Sequence, residues 1–479
     1  MHAPPLSARA LPEGLLPPEL IVQDELHLIS GPLGTMVGLY EAAIDYLCDR
    51  PIAGTPRPPK IVCSTATVRR AREQIQALFG RKMALFPPRG IDDRDNFFAH
   101  VDGKSDGRVY VGVGAPGRAL RAVSVRTYAV LLAASQKHFN PKGDPKQPAD
   151  PYMTLVGYFN SLRELGGMRR LVEDEIRNRV KDIANDRDGK RPLMFVGPHP
   201  WAADRKLEMP AELTSREPTE RVKETKRRLA ARRTSIDPEP LDVVLASNMI
   251  SVGLDVDRLG LMVVTGQPKT TSEYIQATSR VGRAYPGLVV TCHNVIRPRD
   301  RSHYERFVAY HDSFYRDVEA TSVTPFSGQA LDRGLNGTLL AMIRHGILPM
   351  EPPTGAMKIH DERPAAEQVL SWLVLRSRSH RNFHDDEAET RIADLVRARG
   401  RSFLDAWERV VEKARAGAAS RVYSKNDKAG DEGLALLFTA AEDPPDDHDA
   451  RSFEVPTSMR DVEPGVHVWM RFKPLDERI

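Results

Sequence analysis

The sequence predicts an α/β protein: two parallel-sheet domains, then a mostly helical C-terminal region with a short β element. Three observations carry that expectation. The runs LDVVLAS (Leu241–Ser247), LMVVTGQ (Leu261–Gln267) and LVVTCHNV (Leu288–Val295) are near-continuously apolar over a strand's length, as parallel strands buried on both faces are. They alternate with segments of helical spacing, and such alternation builds parallel sheets. After Pro325 helix-period segments follow one another with few strand-length runs between them.

The first domain is expected over residues 1–115. An apolar strand runs into Asp24 and Glu25, and Gly31, Pro32 and Gly34 break it. Met36, Leu39, Tyr40, Ala43, Ile44 and Leu47 recur at three- and four-residue steps, so Thr35–Cys48 is predicted helical. KIVC (Lys60–Cys63) is a short strand, Val68–Phe79 a helix and Arg108–Val113 a third strand. The second domain, 116–326, opens with a helix over Arg118–Ser135 and a surface loop over Asn140–Pro151. A strand in YMTLVGYF follows, then the three apolar runs. Arg205–Arg233 is charged, of mixed sign and helix-prone, either a solvated face or a contact to a phosphate backbone. In 327–479, helices are expected at Leu331–His345, Pro364–Ser377, Thr390–Arg399 and Phe403–Ala416. An acidic loop at Ala440–Ala450 and a late strand in GVHVWMRF complete the region.

A length of 479 residues allows two to four domains. With 41% apolar and 28% charged residues and a mean hydropathy of −0.41, the chain is globular rather than disordered. A net charge of +4 is compatible with nucleic acid without requiring it. Cys48, Cys63 and Cys292 lie far apart with no CxxC pair, which excludes a disulfide scaffold and argues against a cysteine zinc site. There is no apolar run of about 18 residues to span a membrane and no secretory signal pattern, so a cytoplasmic location is expected.

Four stretches carry chemistry. Asp24-Glu25-Leu26-His27 ends a strand. An acid pair there can hold Mg²⁺ through the first carboxylate and activate the water that attacks a γ-phosphate through the second; it is equally the form of an ordinary strand-end acid pair. Ser64-Thr65-Ala66-Thr67 also follows a strand, where its hydroxyls can bond the acids or cap a helix. Ser247–Asp255 (SNMISVGLD) follows LDVVLA, and Gln276–Arg283 (QATSRVGR) begins twenty-one residues beyond Asp255. Arg280 and Arg283, three apart, are predicted on one helical face. Forked, permanently charged guanidiniums there suit a triphosphate.

In this order the stretches resemble motifs II, III, V and VI of the superfamily 2 helicases. DELH resembles the DExH box, STAT the S-A-T element, SNMISVGLD motif V, and QATSRVGR the Q-x-x-G-R-x-G-R motif with Ser279 in place of its first glycine. LVGYFNSLREL (Leu155–Leu165) stands at the place of motif IV. Longer strings, among them PELIVQDELHLISGPLGTMVGLYEAAID, FPPRGIDDRDNFFAH, QPKTTSEYIQATSRVGRAYPGLVVTCHN and PTSMRDVEPGVHVWMRF, are similar to the helicase subunits of the DISARM phage-defence system. The resemblance implies two RecA-like domains, ATP and Mg²⁺ as cofactors, and a cytoplasmic helicase or translocase of antiviral defence. It assigns Asp24 to Mg²⁺, Glu25 to the attacking water, and His27, Gly253, Asp255, Gln276, Arg280 and Arg283 to the nucleotide. Arg280 and Arg283 join Glu25 as catalytic residues. Ser64, Thr65 and Thr67 would couple the domains, and Ser251, Asn160 and Ser161 would touch nucleic acid, DNA in the first instance. Partners would include other DISARM subunits and no membrane.

One departure from that pattern matters more than the matches. The 23 residues before Asp24 contain no G-x-x-x-x-G-K-[ST] phosphate loop. Gly103-Lys104-Ser105 has Phe98 where the first glycine belongs, and lies after DELH. Gly112-Val113-Gly114-Ala115-Pro116-Gly117 fits GxGxxG, but Gln136-Lys137-His138 stands where a ribose-binding acid would be. That absence argues against a nicotinamide enzyme and makes the glycines a hinge between the two sheets. The expectation is a C-terminal portion of a split, frameshifted or truncated helicase, served by an upstream polypeptide that supplies Walker A. The alternative is a non-catalytic nucleic-acid-binding or scaffold module.

Overall fold

The computed structural model describes residues 16–459 apart from 50–54, 66–69, 89, 93–94, 99, 105, 145–146, 186–199, 248–254, 320–321, 381–385, 426, 428–432, 441 and 443. The chain divides into two compact units, Met1–Phe86 with Ala320–Ile479, and Pro87–Glu319. These differ from the divisions expected at 115/116 and 326/327.

In the first unit, strand β1 (Leu20–Gln23) pairs in parallel with β2 (Lys60–Cys63), Gln23 opposite Cys63. Helix α1 (Gly31–Cys48) starts four residues earlier than the spacing predicts, because Pro32 lies in its first turn. A proline there has no intrahelical amide to forfeit. Helix α2 (Ala71–Phe79) follows.

The second unit begins with β3 (Arg108–Gly114) and α3 (Leu120–His138). Next come β4 (Leu155–Phe159), α4 (Leu162–Leu171), α5 (Arg177–Ala184), β5 (Ala211–Leu213) and α6 (Thr219–Ala230). It ends with β6 (Val243–Ala246), β7 (Leu261–Thr265), α7 (Thr271–Thr278), β8 (Gly287–His293), α8 (Pro298–Glu305) and α9 (Phe307–Asp312). The six strands form one parallel sheet in the order β3-β8-β7-β4-β6-β5. Tyr128 and Leu132 of α3 pack on one face with Leu155, Leu245 and Val263. Tyr274 and Ala277 of α7 pack on the other with Val156, Val244 and Val264. The apolar runs are therefore strands covered on both sides, as their composition requires.

Two expectations are corrected here. Arg108–Gly114 belongs to this sheet, not the first one: it pairs with β8 from Arg108 opposite Gly287 to Gly114 opposite His293. Nor are its glycines a hinge between sheets. A Cβ on Gly112 would lie 2.7 Å from the Phe307 ring, and one on Gly114 would lie 3.0 Å from the Tyr304 ring. The bare strand makes room for aromatic rings.

The chain then returns to the first unit with α10 (Gly328–Gly346), α11 (Arg363–Arg378) and α12 (Asp386–Ala416). Met36, Leu39 and Ala43 of α1 share one core with Leu335, Leu339 and Ile343 of α10 and Trp407 of α12. The helical region is thus built onto the N-terminal segment. One helix of 31 residues replaces the two predicted at 390–399 and 403–416. Gly400 does not break it; it is where Leu370 of α11 closes in on the place a Cβ would take. Ser420–Val422 pairs with Gly433–Ala435, and Phe438–Thr439 with Glu454–Val455. The late strand expected in GVHVWMRF lies outside the described residues.

Candidate nucleotide and nucleic-acid sites

Strand β1 delivers Asp24 and strand β2 delivers Ser64 to neighbouring ends of the two-stranded sheet. The Ser64 hydroxyl donates to Asp24 Oδ1, which also accepts the Glu25 amide at 2.9 Å. The Ser64 bond, followed by the Glu25 bond, lowers the Asp24 pKa, so this exposed carboxylate stays ionised. Glu25 turns the chain in the left-handed region, φ 55° and ψ 42°. That conformation costs a non-glycine residue of order 1 kcal/mol or more and recurs at functional sites. Glu25 Oε2 lies 3.4 Å from His27 Nδ1, and the Thr65 hydroxyl lies 3.4 Å from the same nitrogen. DELH and the first two residues of STAT therefore meet side chain to side chain. Thr67 lies outside the described residues. An ionised, exposed aspartate suits a Mg²⁺ ion that keeps most of its ligands as water and phosphate. Among the described residues no group of three or more His, Cys, Asp or Glu is arranged to hold a metal.

In the second unit, Thr270 caps α7 by accepting the Glu273 amide at 3.2 Å. Glu319 adds a second clamp, accepting the Thr271 amide at 2.8 and 2.9 Å and its hydroxyl at 3.1 Å. Gln276 is buried in α7, and its side-chain nitrogen has no hydrogen-bond acceptor among the described residues. The predicted shared helical face of Arg280 and Arg283 is corrected: α7 ends at Thr278, and both arginines lie in the turn beyond it. Ser279, which takes the place of the motif's first glycine, bonds back to the Gln276 carbonyl at 2.9 Å. Gly282 then turns the chain at φ 72°, which a side chain would resist, and its amide donates to the Leu259 carbonyl at 2.8 Å. Arg108 of β3 braces the turn through the Val281 carbonyl at 2.6 Å. Arg283 donates to the Asp255 carboxylate. Ser251 and Gly253 lie outside the described residues.

Asn160 follows β4 and spends its amide on the carbonyls of Thr265, Gly266 and Gln267 at 3.3–3.4 Å. Ser161 caps α4 by accepting the Glu164 amide at 3.3 Å. Both residues shape the loop in which motif IV was expected. Glu319, Arg108 and Asp300, which accepts the Gln267 and Asn294 amides at 3.3 and 2.9 Å, were not foreseen. No local motif marks them; each acts on a partner distant in sequence.

Residues 205–285 match the helicase conserved C-terminal domain. Over 331 residues the chain is 46% identical to the DISARM protein DrmA of Bacillus paralicheniformis, to which it is related; the match covers 68% of this chain and 28% of that protein. The chain thus spans little more than a quarter of that relative's length. Among solved structures, the DUF1998 helicase MrfA bound to DNA is similar with a TM-score of 0.44 and 16% identity, over 68% of this chain and 35% of that one. The Mycobacterium smegmatis helicase Lhr bound to single-stranded DNA and AMP-PNP is similar with a TM-score of 0.40 and 16% identity, over 74% and 38%. Among the described residues no helix is long and apolar enough to cross a membrane.

Proposed function

We propose that this chain is the motor portion, from the DExH box onward, of an ATP-dependent nucleic-acid translocase or helicase of DISARM-type phage defence. The observation that carries the reading is the contact of Asp24 and His27 with Ser64 and Thr65, in a chain 46% identical to DrmA over 331 residues. Mg²⁺ and ATP together supply the polarised γ-phosphate. Asp24 offers one ionised oxygen toward the metal, and Glu25 orients and deprotonates the attacking water. A change at the acids reaches the S-A-T segment through the Ser64 hydroxyl. Gln276, whose side-chain nitrogen lacks an acceptor among the described residues, would be available to the nucleotide, and Arg280 and Arg283 would supply positive charge to its phosphates. Asp255 pairs with Arg283, and Gly253 is assigned to the nucleotide on the motif resemblance. The phosphate-cradling lysine comes from a segment outside these 479 residues. Nucleic acid, DNA in the first instance, is held chiefly through phosphates, with Ser251, Asn160 and Ser161 as its candidate contacts. Other DISARM subunits are the expected partners, in the cytoplasm.

Steady-state ATPase assays, with and without single-stranded DNA, test this on the chain alone and with a phosphate-loop segment of a DrmA-type protein added. Hydrolysis is expected only in the pair, and Glu25→Gln should abolish it. Turnover of about 1 s⁻¹ by the chain alone, lost on Glu25→Gln, would refute the external cradle. A pair that binds DNA yet never hydrolyses ATP would favour the alternative, a non-catalytic nucleic-acid-binding module.

A further inference from the structure

Helix α7 carries Gln276, and its first turn is held by side chains from other elements of the second unit. Thr271 meets Glu319, and its hydroxyl also accepts from Tyr310 of α9 at 3.3 Å. The Glu273 carboxylate accepts the hydroxyl of Tyr158 of β4. The Tyr274 hydroxyl lies 2.9 Å from His311 Nε2 of α9 and 3.0 Å from the hydroxyl of Thr291 of β8. Of these holds, the one through His311 turns on an imidazole, the side chain that changes charge nearest neutral pH.

The direction of that hold is fixed. His311 Nδ1 lies 2.8 Å from the Phe307 carbonyl. A carbonyl only accepts, so Nδ1 carries the proton and Nε2 of the neutral ring is the acceptor. Tyr274 therefore donates to Nε2, and Thr291, buried in β8, donates to Tyr274. Protonation of His311 breaks the order. Nε2 becomes a donor, Tyr274 must turn its proton to Thr291, and among the described residues the Thr291 hydroxyl has no other acceptor. A buried donor without an acceptor is costly. The surroundings of the ring are mostly aromatic: Tyr110 of β3, Tyr274 of α7, and Phe307 and Tyr310 of α9 stand with ring centres 4.0–5.6 Å away. His293 of β8 feels the His311 charge as a repulsion. Burial holds His311 below the ordinary imidazole value of 6.5, opposed by the Phe307 carbonyl and by the Asp312 carboxylate. His303 of α8 meets the Tyr310 ring at 4.8 Å and, among the described residues, bonds nothing in α7.

We propose that His311 is a positioning residue for Gln276: as the neutral imidazole it holds α7 through Tyr274, and as the imidazolium it lets the helix loosen. The inference rests on the nucleotide reading above and adds to it a residue outside the helicase motifs. The neutral form is the one present at pH 7 and above, so the hold is made there and lost as pH falls below the ordinary imidazole range. Thr270 and Glu319 grip the start of α7 independently, so loss of the His311 bond loosens the helix without unfolding it.

Hydrogen exchange of α7 in the full chain, from about pH 5 to about pH 8 and corrected for intrinsic rates, reads the hold directly. Wild-type protection should fall roughly three- to tenfold on acidification, the worth of one hydrogen bond. His311→Gln offers an amide oxygen that accepts from Tyr274 and does not titrate, so its protection should stay high throughout. His311→Phe keeps a ring without an acceptor and should be low throughout. His303→Gln should respond to pH as the wild type does, and matched circular dichroism spectra establish that the variants fold. In the pair with a phosphate-loop segment, the KM for ATP should rise on acidification in the wild type and in His303→Gln but not in His311→Gln, with kcat changing less. Wild-type protection that ignores pH, or a response that persists in His311→Gln, overturns the proposal whatever the ATPase does. Protection that responds while KM does not refutes the positioning of Gln276 and leaves the ATPase reading standing. A pair that never hydrolyses ATP removes that reading and the role of His311 with it.

Discussion

Arg283 donates through Nη1 to Asp255 Oδ1, joining the turn after α7 to the segment that follows β6 across 28 residues of chain. The aspartate side chain is 80% exposed and the arginine 30%, so solvent screening leaves the pair little weight in stability. Its consequence is positional: it fixes the direction of a guanidinium that carries no helix of its own. In the ATPase-competent pair, Arg283→Ala should cost about 10³-fold or more in turnover, as for a finger arginine. Arg283→Lys should not rescue it, because a point charge cannot replace a fork. Asp255→Ala should cost roughly 10- to 100-fold through misplacement alone, with the melting temperature unchanged. Turnover indifferent to Arg283→Ala refutes the assignment.

The buried strands were legible because their sequences must be apolar on both faces, and the strand-end motifs followed from them. What escaped was nonlocal. The apolar pattern of Arg108–Gly114 identifies a strand but says nothing of its neighbour, and β8 lies more than 170 residues on. QATSRVGR looks helical throughout by spacing, yet Gly282 and the Ser279 back-bond end the helix early. Gly400 looks like a helix break until Leu370 is seen against it. Within Arg205–Arg233, Arg221, Lys223 and Arg227 pair with glutamates three or four positions away, whereas Arg205 and Arg233 at the ends turn inward to an acid in another element.

That acid is Asp242, at the entry to β6. Arg205 reaches it at 2.5 Å with both side chains 1% exposed, and Arg233 reaches the same oxygen at 2.6 Å. Burial pushes the Arg205 pKa down, opposed by the Asp242 charge. Removing the acid leaves a buried cation without its counter-charge. Asp242→Ala should therefore destabilise the protein by about 3–5 kcal/mol. Replacing Arg205 and Asp242 together with apolar residues should recover much of that loss. Urea denaturation of the single and double variants measures both, and a single variant as stable as wild type would contradict the account.

Glu41 of α1 is buried, with Asp45 one turn on and Arg376 and Arg81 nearby. Desolvation, helped by Asp45, raises its pKa from 4.5 to about 7. Asp45 is raised by the same burial, and Arg376 is pushed down to about 10. Between pH 4.5 and 7 the folded chain keeps a Glu41 proton that the unfolded chain has lost. Its contribution is therefore fully present below pH 4.5 and disappears as pH rises through 7. Glu41→Gln should gain on the order of 2 kcal/mol at pH 8 and little at pH 4. Urea melts at the two values check the sign; an equal effect at both would mean that Glu41 titrates normally.

Gly112 and Gly114 satisfy a dinucleotide fingerprint in letters only. Their bare Cα atoms face the rings of Phe307 and Tyr304, and those rings belong to an aromatic cluster with His293, His311 and Tyr110. A methyl group on Gly112 would enter the Phe307 ring at 2.7 Å. The ring cannot bend away as the end of a flexible side chain could, so α9 or β3 must shift. Gly112→Ala should destabilise the second unit by about 1–3 kcal/mol, the usual range for overpacking. Gly112→Ala/Phe307→Leu should restore part of that, because the smaller side chain vacates the space. A nucleotide cradle would behave differently: the alanine would weaken nicotinamide-dinucleotide binding, and shrinking Phe307 would not repair it. Thermal melts of the single and double variants, with equilibrium dialysis against the dinucleotide, separate the two. Dinucleotide retained by the wild-type chain and lost in Gly112→Ala would overturn the packing account.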